Sequence, residues 1–367
     1  MNRLLIKQIR ILNKTQMKLY PEIRAVLIFV AIILVNISCS KDKSPVSPRT
    51  EIFNEIVSRI ENHEYGEVHS LIIAVDDSII LEKYFNNYSR EIRHPLYSVT
   101  KSFTSALIGI CLDKGLIDSL DMKVLDFFPE YRYILANYDS LKEQITIRNL
   151  LTMTAGLTWD EWTSSYNDPD NDVIKLVQSN NWVKYVLDRP MSTVPRTSFS
   201  YNSGVSNLLS GIISKVTGQP AREFARDNLF SHLGITDWDW ENRPDGISIG
   251  GWGLNLRPVD MLRFGQLYLK KGHWNNQQVI AETWIDESTF PHYQLNDWYD
   301  YGYQWWRYSQ NMSSVNAEGI FFASGRGEQY IWVIPEHNAV VVCTAWNDGQ
   351  SLLEPVLWDW VLKALDN

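Results

Sequence analysis

The chain has 367 residues, of which 45% are apolar and 21% are charged, and its formal net charge at pH 7 is −9. This balance is typical of a folded globular protein and excludes a disordered chain. The acidic charge, without a basic stripe along the sequence, excludes nucleic acid as an expected partner.

The cysteine and histidine patterns predict neither a metal site nor a redox motif. Three cysteines (Cys39, Cys111 and Cys343) form no C-x-x-C pair, and seven histidines form no H-x-x-x-H pair. Cys111 lies in an apolar helical run and Cys343 in an apolar strand-like run, so both are predicted to be buried. We therefore expect no metal ion and no organic cofactor.

The N-terminal segment is predicted to be a targeting signal. Residues 25–35 form an uninterrupted apolar run, too short to span a bilayer and preceded by positive charges. Small residues followed by Cys39 resemble the lipobox of bacterial lipoproteins, although Asn36 departs from its usual leucine. We expect residues 1–39 to be a signal peptide and Cys39 to be lipidated. A plain cleaved signal or an uncleaved anchor is the alternative.

These features predict an exported protein that a lipid anchors to the bacterial cell envelope, on its periplasmic or outer face. Met17 is a second candidate for the true start, since residues 1–16 add nothing that a signal peptide needs. Residues 40–50 are polar and rich in proline and serine, which predicts a tether to a folded domain over 51–367.

The first predicted elements of the folded part are a helix and a pair of strands. Apolar side chains recur at helical spacing over residues 51–62, which predicts an amphipathic helix. The apolar segments His69–Val75 and Ile79–Phe85 flank a turn signal at 76–78 and predict two strands.

The other end of the chain repeats this arrangement. The segments Ile331–Ile334 and Ala339–Ala345 flank a turn and predict a second strand pair, and Leu352–Leu365 has the pattern of a closing helix. We therefore predict an α+β fold. One antiparallel sheet is built from both chain ends, is flanked by terminal helices and carries a mostly helical insertion over about 99–285.

A serine and a lysine at the start of a predicted helix form the first candidate for catalysis. Ser98 and Lys101 are three residues apart, so they share a face of the helix that ends near Gly115. A serine hydroxyl needs a base to become a good nucleophile, and a buried lysine can act as one. Ser40–Lys43 has the same spacing, but it lies in the polar tether. Taken alone, the pair also fits a helix-capping serine beside a solvated lysine.

Several segments, in the same order, resemble the serine β-lactamase-like hydrolases. This family includes class C β-lactamases, penicillin-binding peptidases, EstB-type esterases and 6-aminohexanoate-dimer (nylon oligomer) hydrolases. The resemblance covers about residues 51–363 and is greatest to the esterase and nylon-oligomer-hydrolase branch. It rests on the segments YSVTKSF (97–103), NLLTMTAGL (149–157), FSYNSG (199–204), GWGL (251–254), PVDM (258–261), FG (264–265) and ASGRGEQ (323–329).

The resemblance implies a β-lactamase/transpeptidase-like fold and hydrolysis through an acyl-serine. Ser98 would be the nucleophile, and Lys101 and Tyr201 would share the work of the base. Which of these two is the base in each step is left open. The backbone N–H groups of Ser98 and Arg326 would form the oxyanion hole.

The same resemblance predicts contacts with the substrate for Ser203, Ser324, Gly325 and Trp162. Asp160 and Glu161 precede Trp162, and this stretch either lines the cleft or forms an ordinary solvated loop.

One position departs from the family's pattern, because Ala323 stands where the family has the lysine of Lys-Thr-Gly. Arg326 either supplies a substitute cation or faces solvent. The loss of the lysine favours a small ester or linear amide as substrate. The alternatives are a β-lactamase or D-alanyl-D-alanine peptidase, and, in another class, a non-catalytic surface lipoprotein that binds peptidoglycan or peptide. The sequence gives no expectation of the oligomeric state.

Overall fold

The computed structural model describes residues 47–310 and 319–367. The predicted signal peptide with Cys39, and the predicted tether up to residue 46, lie outside the described residues. The last residues of that tether belong instead to helix α1 (Pro48–Glu61), which begins earlier than predicted. The early start has two reasons. Pro48 suits the first turn of a helix, and Arg49 donates a hydrogen bond of 3.0 Å to the carbonyl of Ala364. Among the described residues, no helix is long and apolar enough to cross a membrane.

The strands include those predicted near both chain ends. In chain order they are β1 (Val68–Val75), β2 (Ser78–Tyr84), β3 (His94–Pro95), β4 (Trp238–Trp240), β5 (Leu254–Leu256), β6 (His273–Trp274), β7 (Gln277–Gln278), β8 (Tyr293–Gln294), β9 (Tyr299–Tyr301), β10 (Trp306–Tyr308), β11 (Phe321–Gly325), β12 (Gln329–Ile334) and β13 (Ala339–Ala345).

Eight of these strands form one antiparallel sheet in the order β2-β1-β13-β12-β11-β10-β9-β8. Strand β1 pairs with β13 next to the edge strand β2, with Ile72 opposite Val342. The predicted α+β fold, with one antiparallel sheet built from both ends of the folded part, is confirmed. The short outer strands β8 to β10 are an addition to the prediction. There are also two small sheets, β3-β5-β4 and β6-β7, and all their strands except β3 belong to the insertion.

Helices cover both faces of the large sheet. In chain order they are α1, α2 (Thr100–Asp113), α3 (Val124–Phe127), α4 (Ile147–Leu151), α5 (Asp172–Gln178), α6 (Trp182–Leu187), α7 (Ser203–Thr217), α8 (Ala221–Ala225), α9 (Ser231–Leu233), α10 (Pro258–Leu269), α11 (Glu282–Thr289), α12 (Glu354–Val356) and α13 (Leu362–Leu365). Short 3₁₀ turns lie at Tyr97–Val99, Pro129–Tyr131, Ser140–Gln144 and Pro335–His337. A π-helical turn joins α12 to α13, so the predicted closing helix is present over 354–365.

The large sheet separates two apolar layers, because successive side chains of a strand point to opposite faces. On β13, Val340 and Val342 pack in the layer that contains α2, α7 and α10. Val341 and the buried free thiol Cys343 pack in the layer that contains α1 and the closing helix. Residues 49–367 thus form one unit around this sheet.

Helix α2 runs through the interior and fixes the start of the candidate site. All its residues from Thr100 to Cys111 are buried, although the sequence predicts only one apolar face. Two of its polar side chains bond to carbonyls of other segments: Ser102 donates to the carbonyl of Gln304 at 2.7 Å, and Thr104 to that of Gly250 at 2.8 Å. The backbone that follows Ser98 is therefore held on every side.

Candidate active site

Ser98 lies in the 3₁₀ turn that leads into α2, on the wall of a cleft of about 520 Å³. Tyr97, just before it, has a φ of 46°, in the left-handed region that residues other than glycine rarely adopt. Such strain is common at functional sites, where the surrounding structure holds it in place. Here it presents the Ser98 hydroxyl at the first turn of a buried helix.

Lys101 is buried, with 1% of its surface exposed, and its ammonium nitrogen touches three acceptors. It donates to Oγ of Ser98 at 2.9 Å, to Oγ of Ser203 at 3.0 Å and to the carbonyl of Gly251 at 2.9 Å. Ser203 and Gly251 are far from Lys101 in the chain, so the fold itself sets the position of the amine. The Gly251 carbonyl gives the GWGL segment a role at the site that the sequence did not indicate.

Burial lowers the pKa of Lys101 to about 8, because a charged amine loses its hydration in the interior. The negative charge of Glu161 acts in the opposite direction and raises it. Lys101 is thus much closer to neutrality than an ordinary lysine, and its neutral form would accept the proton of Ser98.

Tyr201 precedes helix α7, whose N-terminus is capped by the Asn202 side chain through a 3.1 Å bond from the N–H of Val205. The centre of the Tyr201 ring lies 4.8 Å from the ammonium nitrogen of Lys101. Burial raises the pKa of the Tyr201 phenol, and a hydrogen bond with Ser98 offsets this rise only in part. Tyr201 therefore keeps its proton at neutral pH and can act as a proton donor.

Glu161 is a buried carboxylate behind Lys101, and the two are joined through Ser203. Its oxygens accept bonds from the Ser203 backbone N–H at 2.7 Å and hydroxyl at 2.8 Å. They also accept bonds from Trp159 at 2.6 Å and Tyr166 at 3.3 Å. The Ser203 hydroxyl bonds both Lys101 and Glu161. We therefore assign it to this network and not to substrate binding, which is the role that the sequence predicted.

The candidate oxyanion hole lies where β11 meets the turn of Ser98. A Cβ atom at Gly325 would lie 2.3 Å from the carbonyl oxygen of Leu96 and 3.3 Å from the backbone nitrogen of Ser98. Glycine alone lets the strand approach this closely. Arg326 follows in a turn closed by the N–H of Glu328 and the carbonyl of Gly325 (3.1 Å), which leaves its own N–H outside that bond.

The Arg326 side chain is a paired cation in the wall of the cleft. Its guanidinium makes two contacts with the carboxylate of Asp348, one of 2.7 Å, and this pairing raises the pKa of Arg326. The guanidinium also lies 5.0 Å from the ring centre of Tyr166 and 5.6 Å from that of Trp346. The sequence left two alternatives for the Arg326 side chain, a substitute cation or a side chain that faces solvent. Neither a free cation nor a fully solvated arginine fits this environment.

The remaining candidates divide between the cleft and the protein around it. Ser324 and Trp162 line the cleft, and the ring of Trp162 stacks on that of Tyr201 with 4.8 Å between centres. Ala323 is buried in the core, so a methyl group stands where the family has its lysine. Asp160 is exposed and bonds within its own loop, to Thr163, rather than lining the cleft.

We expect the pH dependence of the reaction to report Lys101. kcat/KM should rise through a pH of about 8, because only the neutral amine accepts a proton. In Glu161→Gln the negative charge that raises this pKa is gone, so the acid limb should move to lower pH. Glu328→Gln, which alters a second buried carboxylate of the cleft wall, should leave the limb in place. An acid limb that does not move in Glu161→Gln would contradict the coupling.

Comparison with known proteins agrees with this architecture. A family model described as Beta-lactamase matches residues 66–363. The 6-aminohexanoate-dimer hydrolase of Paenarthrobacter ureafaciens is 24% identical over 331 residues, which is 81% of this chain and 78% of that protein. A lovastatin esterase from Penicillium rubens is 28% identical over 159 residues, which is 39% of this chain and 38% of the esterase.

Solved structures with low sequence identity share the fold. EstCE1, described as a hydrolase with promiscuous acyltransferase activity, superposes with a TM-score of 0.72 at 14% identity, covering 87% of this chain and 98% of its own. The octameric penicillin-binding protein homologue from Pyrococcus abyssi gives a TM-score of 0.64 at 19% identity, covering 85% and 77%. These matches confirm the predicted β-lactamase/transpeptidase-like fold.

Proposed function

Because the chain belongs to the Beta-lactamase family, we propose that it is a serine hydrolase that cleaves a small ester or linear amide through an acyl-Ser98 intermediate. The observation that carries this proposal is the buried amine of Lys101, which lies 2.9 Å from Oγ of Ser98 beside an open cleft. With a pKa of about 8, Lys101 holds a neutral amine in a useful fraction of molecules near neutral pH.

In the first half of the reaction, Oγ of Ser98 attacks the carbonyl carbon and passes its proton to the neutral amine of Lys101. The backbone N–H groups of Ser98 and Arg326 bind the negative oxygen of the tetrahedral intermediate. The phenol of Tyr201 then gives its proton to the leaving alcohol or amine as the ester or amide bond breaks. Acyl-Ser98, a Lys101 ammonium and a Tyr201 phenolate result.

In the second half, water attacks the acyl carbonyl and gives a proton to the Tyr201 phenolate, which its raised pKa makes a strong base. The bond between the acyl carbon and Ser98 then breaks, and Oγ recovers a proton from Lys101. The acid product leaves, and all three side chains regain their starting states. Glu161 and Ser203 hold Lys101 in position through both halves.

The charges of the cleft favour an uncharged ester or amide at the reacting end over a β-lactam with its carboxylate. Ala323 supplies no ammonium group, and Asp348 already neutralises Arg326. The names of two relatives, a 6-aminohexanoate-dimer hydrolase and a lovastatin esterase, span the linear amide and the ester that we propose.

A panel of substrates tests the proposal with the full chain and its Ser98→Ala variant. The panel contains p-nitrophenyl acetate, nitrocefin, a D-alanyl-D-alanine peptide and the 6-aminohexanoate dimer. We expect Ser98-dependent hydrolysis of the ester or the linear amide. Hydrolysis of no compound, with no labelling by a fluorophosphonate, would contradict an enzymatic function. Nitrocefin as the best substrate would contradict the role given to Ala323.

We also propose that residues 1–39 direct export and that Cys39 carries a lipid which anchors the protein to the cell envelope. The apolar run at 25–35 and the small residues before Cys39 support this. A clickable palmitate analogue fed to expressing bacteria should label the full chain but not Cys39→Ala. Equal labelling of both would contradict lipidation at Cys39.

A further inference from the structure

A second cavity of about 310 Å³ opens beside the cleft of Ser98, and we call it the side pocket. It shares Trp162, Trp306 and Tyr330 with the cleft, so the two spaces adjoin along these side chains. Tyr299 and Phe322 add two more aromatic rings to its wall. A substrate held with its carbonyl at Ser98 can therefore extend a chain between aromatic faces.

The side pocket also contains a carboxylate, that of Glu354, at the start of the closing helix. Both of its oxygens accept from the Tyr299 hydroxyl at 2.9 Å, and one also accepts from the Tyr308 hydroxyl at 3.2 Å. No lysine, arginine or histidine in the described ranges forms an ion pair with it. Glu354 is thus a carboxylate of the wall that phenols hold in place and no described cation neutralises.

The electrostatics around Glu354 leave it short of positive charge. Burial raises the pKa of its carboxyl, and the bonds from Tyr299 and Tyr308 offset this rise only in part. The negative charge of Glu328 lies close enough to interact with Glu354, and it belongs to the wall of the neighbouring cleft. A cation that enters the side pocket would relieve both effects.

We propose that the side pocket binds an ammonium group of the substrate, carried on an apolar chain some distance from the carbonyl that Ser98 attacks. Aromatic faces attract organic cations, most strongly where water is partly excluded, and a carboxylate supplies the opposite charge. This inference rests on the proposed hydrolysis at Ser98 and adds to it the class of substrate. Trp162 and Trp306, which line both spaces, would flank the chain that joins the two ends.

Matched pairs of esters test the side pocket. Each pair is a p-nitrophenyl ester with an acyl chain of four to eight carbons that ends in trimethylammonium, and its neutral isostere that ends in tert-butyl. The full chain should hydrolyse one or more of the cationic esters with a kcat/KM at least about tenfold above that of the isostere. Glu354→Gln keeps an acceptor for the phenols and should remove that preference, while the neutral esters change less than about threefold.

Asp359→Asn is the matched control, because it removes one negative charge from the same helix at a solvent-exposed position. It should keep the preference for the cationic esters. No preference in the unaltered protein, or an equal loss on both esters in Glu354→Gln, would overturn the proposal, since Glu354 would then only hold Tyr299 and Tyr308.

A binding measurement separates this proposal from the proposed hydrolysis. Hexyltrimethylammonium should quench the fluorescence of Trp162 and Trp306 at lower concentration than its neutral tert-butyl isostere, and Glu354→Gln should abolish the difference. If no ester is hydrolysed but the cationic compound still binds selectively, the result would contradict the proposed hydrolysis and not the side pocket. Equal binding of the two compounds would contradict the side pocket.

Discussion

Exchange of Lys101 for methionine is expected to lower kcat/KM for ester hydrolysis by roughly 10⁴-fold, the upper range for loss of a general base. Methionine fills a similar volume but cannot take the proton of Ser98. The fold should survive, because Glu161 keeps its bonds from Trp159 and from the backbone N–H of Ser203. Steady-state kinetics on protein whose folding is checked by circular dichroism would measure the loss.

The chain offers a matched control in Lys142, a second buried lysine whose pKa burial also lowers to about 8. Its amine donates to the carbonyls of Leu187 and Arg189, both at 2.6 Å, away from the cleft. Lys142→Met should reduce thermal stability and leave kcat/KM of the folded protein within about threefold of the original. A Lys101→Met variant that is folded and loses less than tenfold would rule out Lys101 as the base.

Replacement of Gly325 by alanine is expected to lower kcat by about 10²–10³-fold, which is the usual effect of removing one donor from an oxyanion hole. Gly325 has no positive φ, so its backbone accepts a side chain and only space is lacking. The new methyl group would lie 2.3 Å from the carbonyl oxygen of Leu96, and the strand must move away from the turn of Ser98. That movement separates the two N–H groups that bind the oxyanion.

Gly211→Ala adds the same methyl group elsewhere, in helix α7, where the nearest atom would be a ring carbon of Phe128 at 3.1 Å. It should leave kcat within about twofold of the value for the unaltered protein, because the Phe128 side chain can move away from the new methyl group and the Leu96 backbone carbonyl cannot. Comparison of kcat with KM is informative, since a displaced oxyanion hole lowers kcat and leaves ground-state binding nearly intact. A Gly325→Ala variant with normal kcat would place the oxyanion hole elsewhere.

The parts of the fold that could be predicted are those whose sequence pattern is long enough to be read locally. Strand β1 was expected over His69–Val75 and runs over Val68–Val75, while β13 matches its prediction. The outer strands β8 to β10 hold two or three residues each, too few for alternation, and they exist because β11 offers an edge to pair with. Neighbours in space, not local pattern, determine them.

The candidate site shows the same division between local and distant information. Ser98 and Lys101 share one helical turn, and Tyr201 stands in a recognisable motif, so the sequence alone predicts all three as catalytic residues. The positions of Glu161 and Gly251 depend on contacts across the fold: Glu161 bonds Ser203 over 42 residues of chain, and Gly251 bonds Lys101 over 150. No periodicity encodes such pairings. From the sequence, Glu161 is predicted only to lie in a stretch that either lines the cleft or forms a solvated loop.

Covalent labelling of Ser98 tests the central claim most directly. The full chain would be treated with a fluorophosphonate, and the adduct would be located by intact-protein and peptide mass spectrometry. We expect one adduct per chain, on Ser98, that a competing ester substrate slows and that Ser98→Ala abolishes. An adduct on a different residue, or a chain that hydrolyses esters while Ser98 stays unmodified and dispensable, would contradict the acyl-Ser98 mechanism.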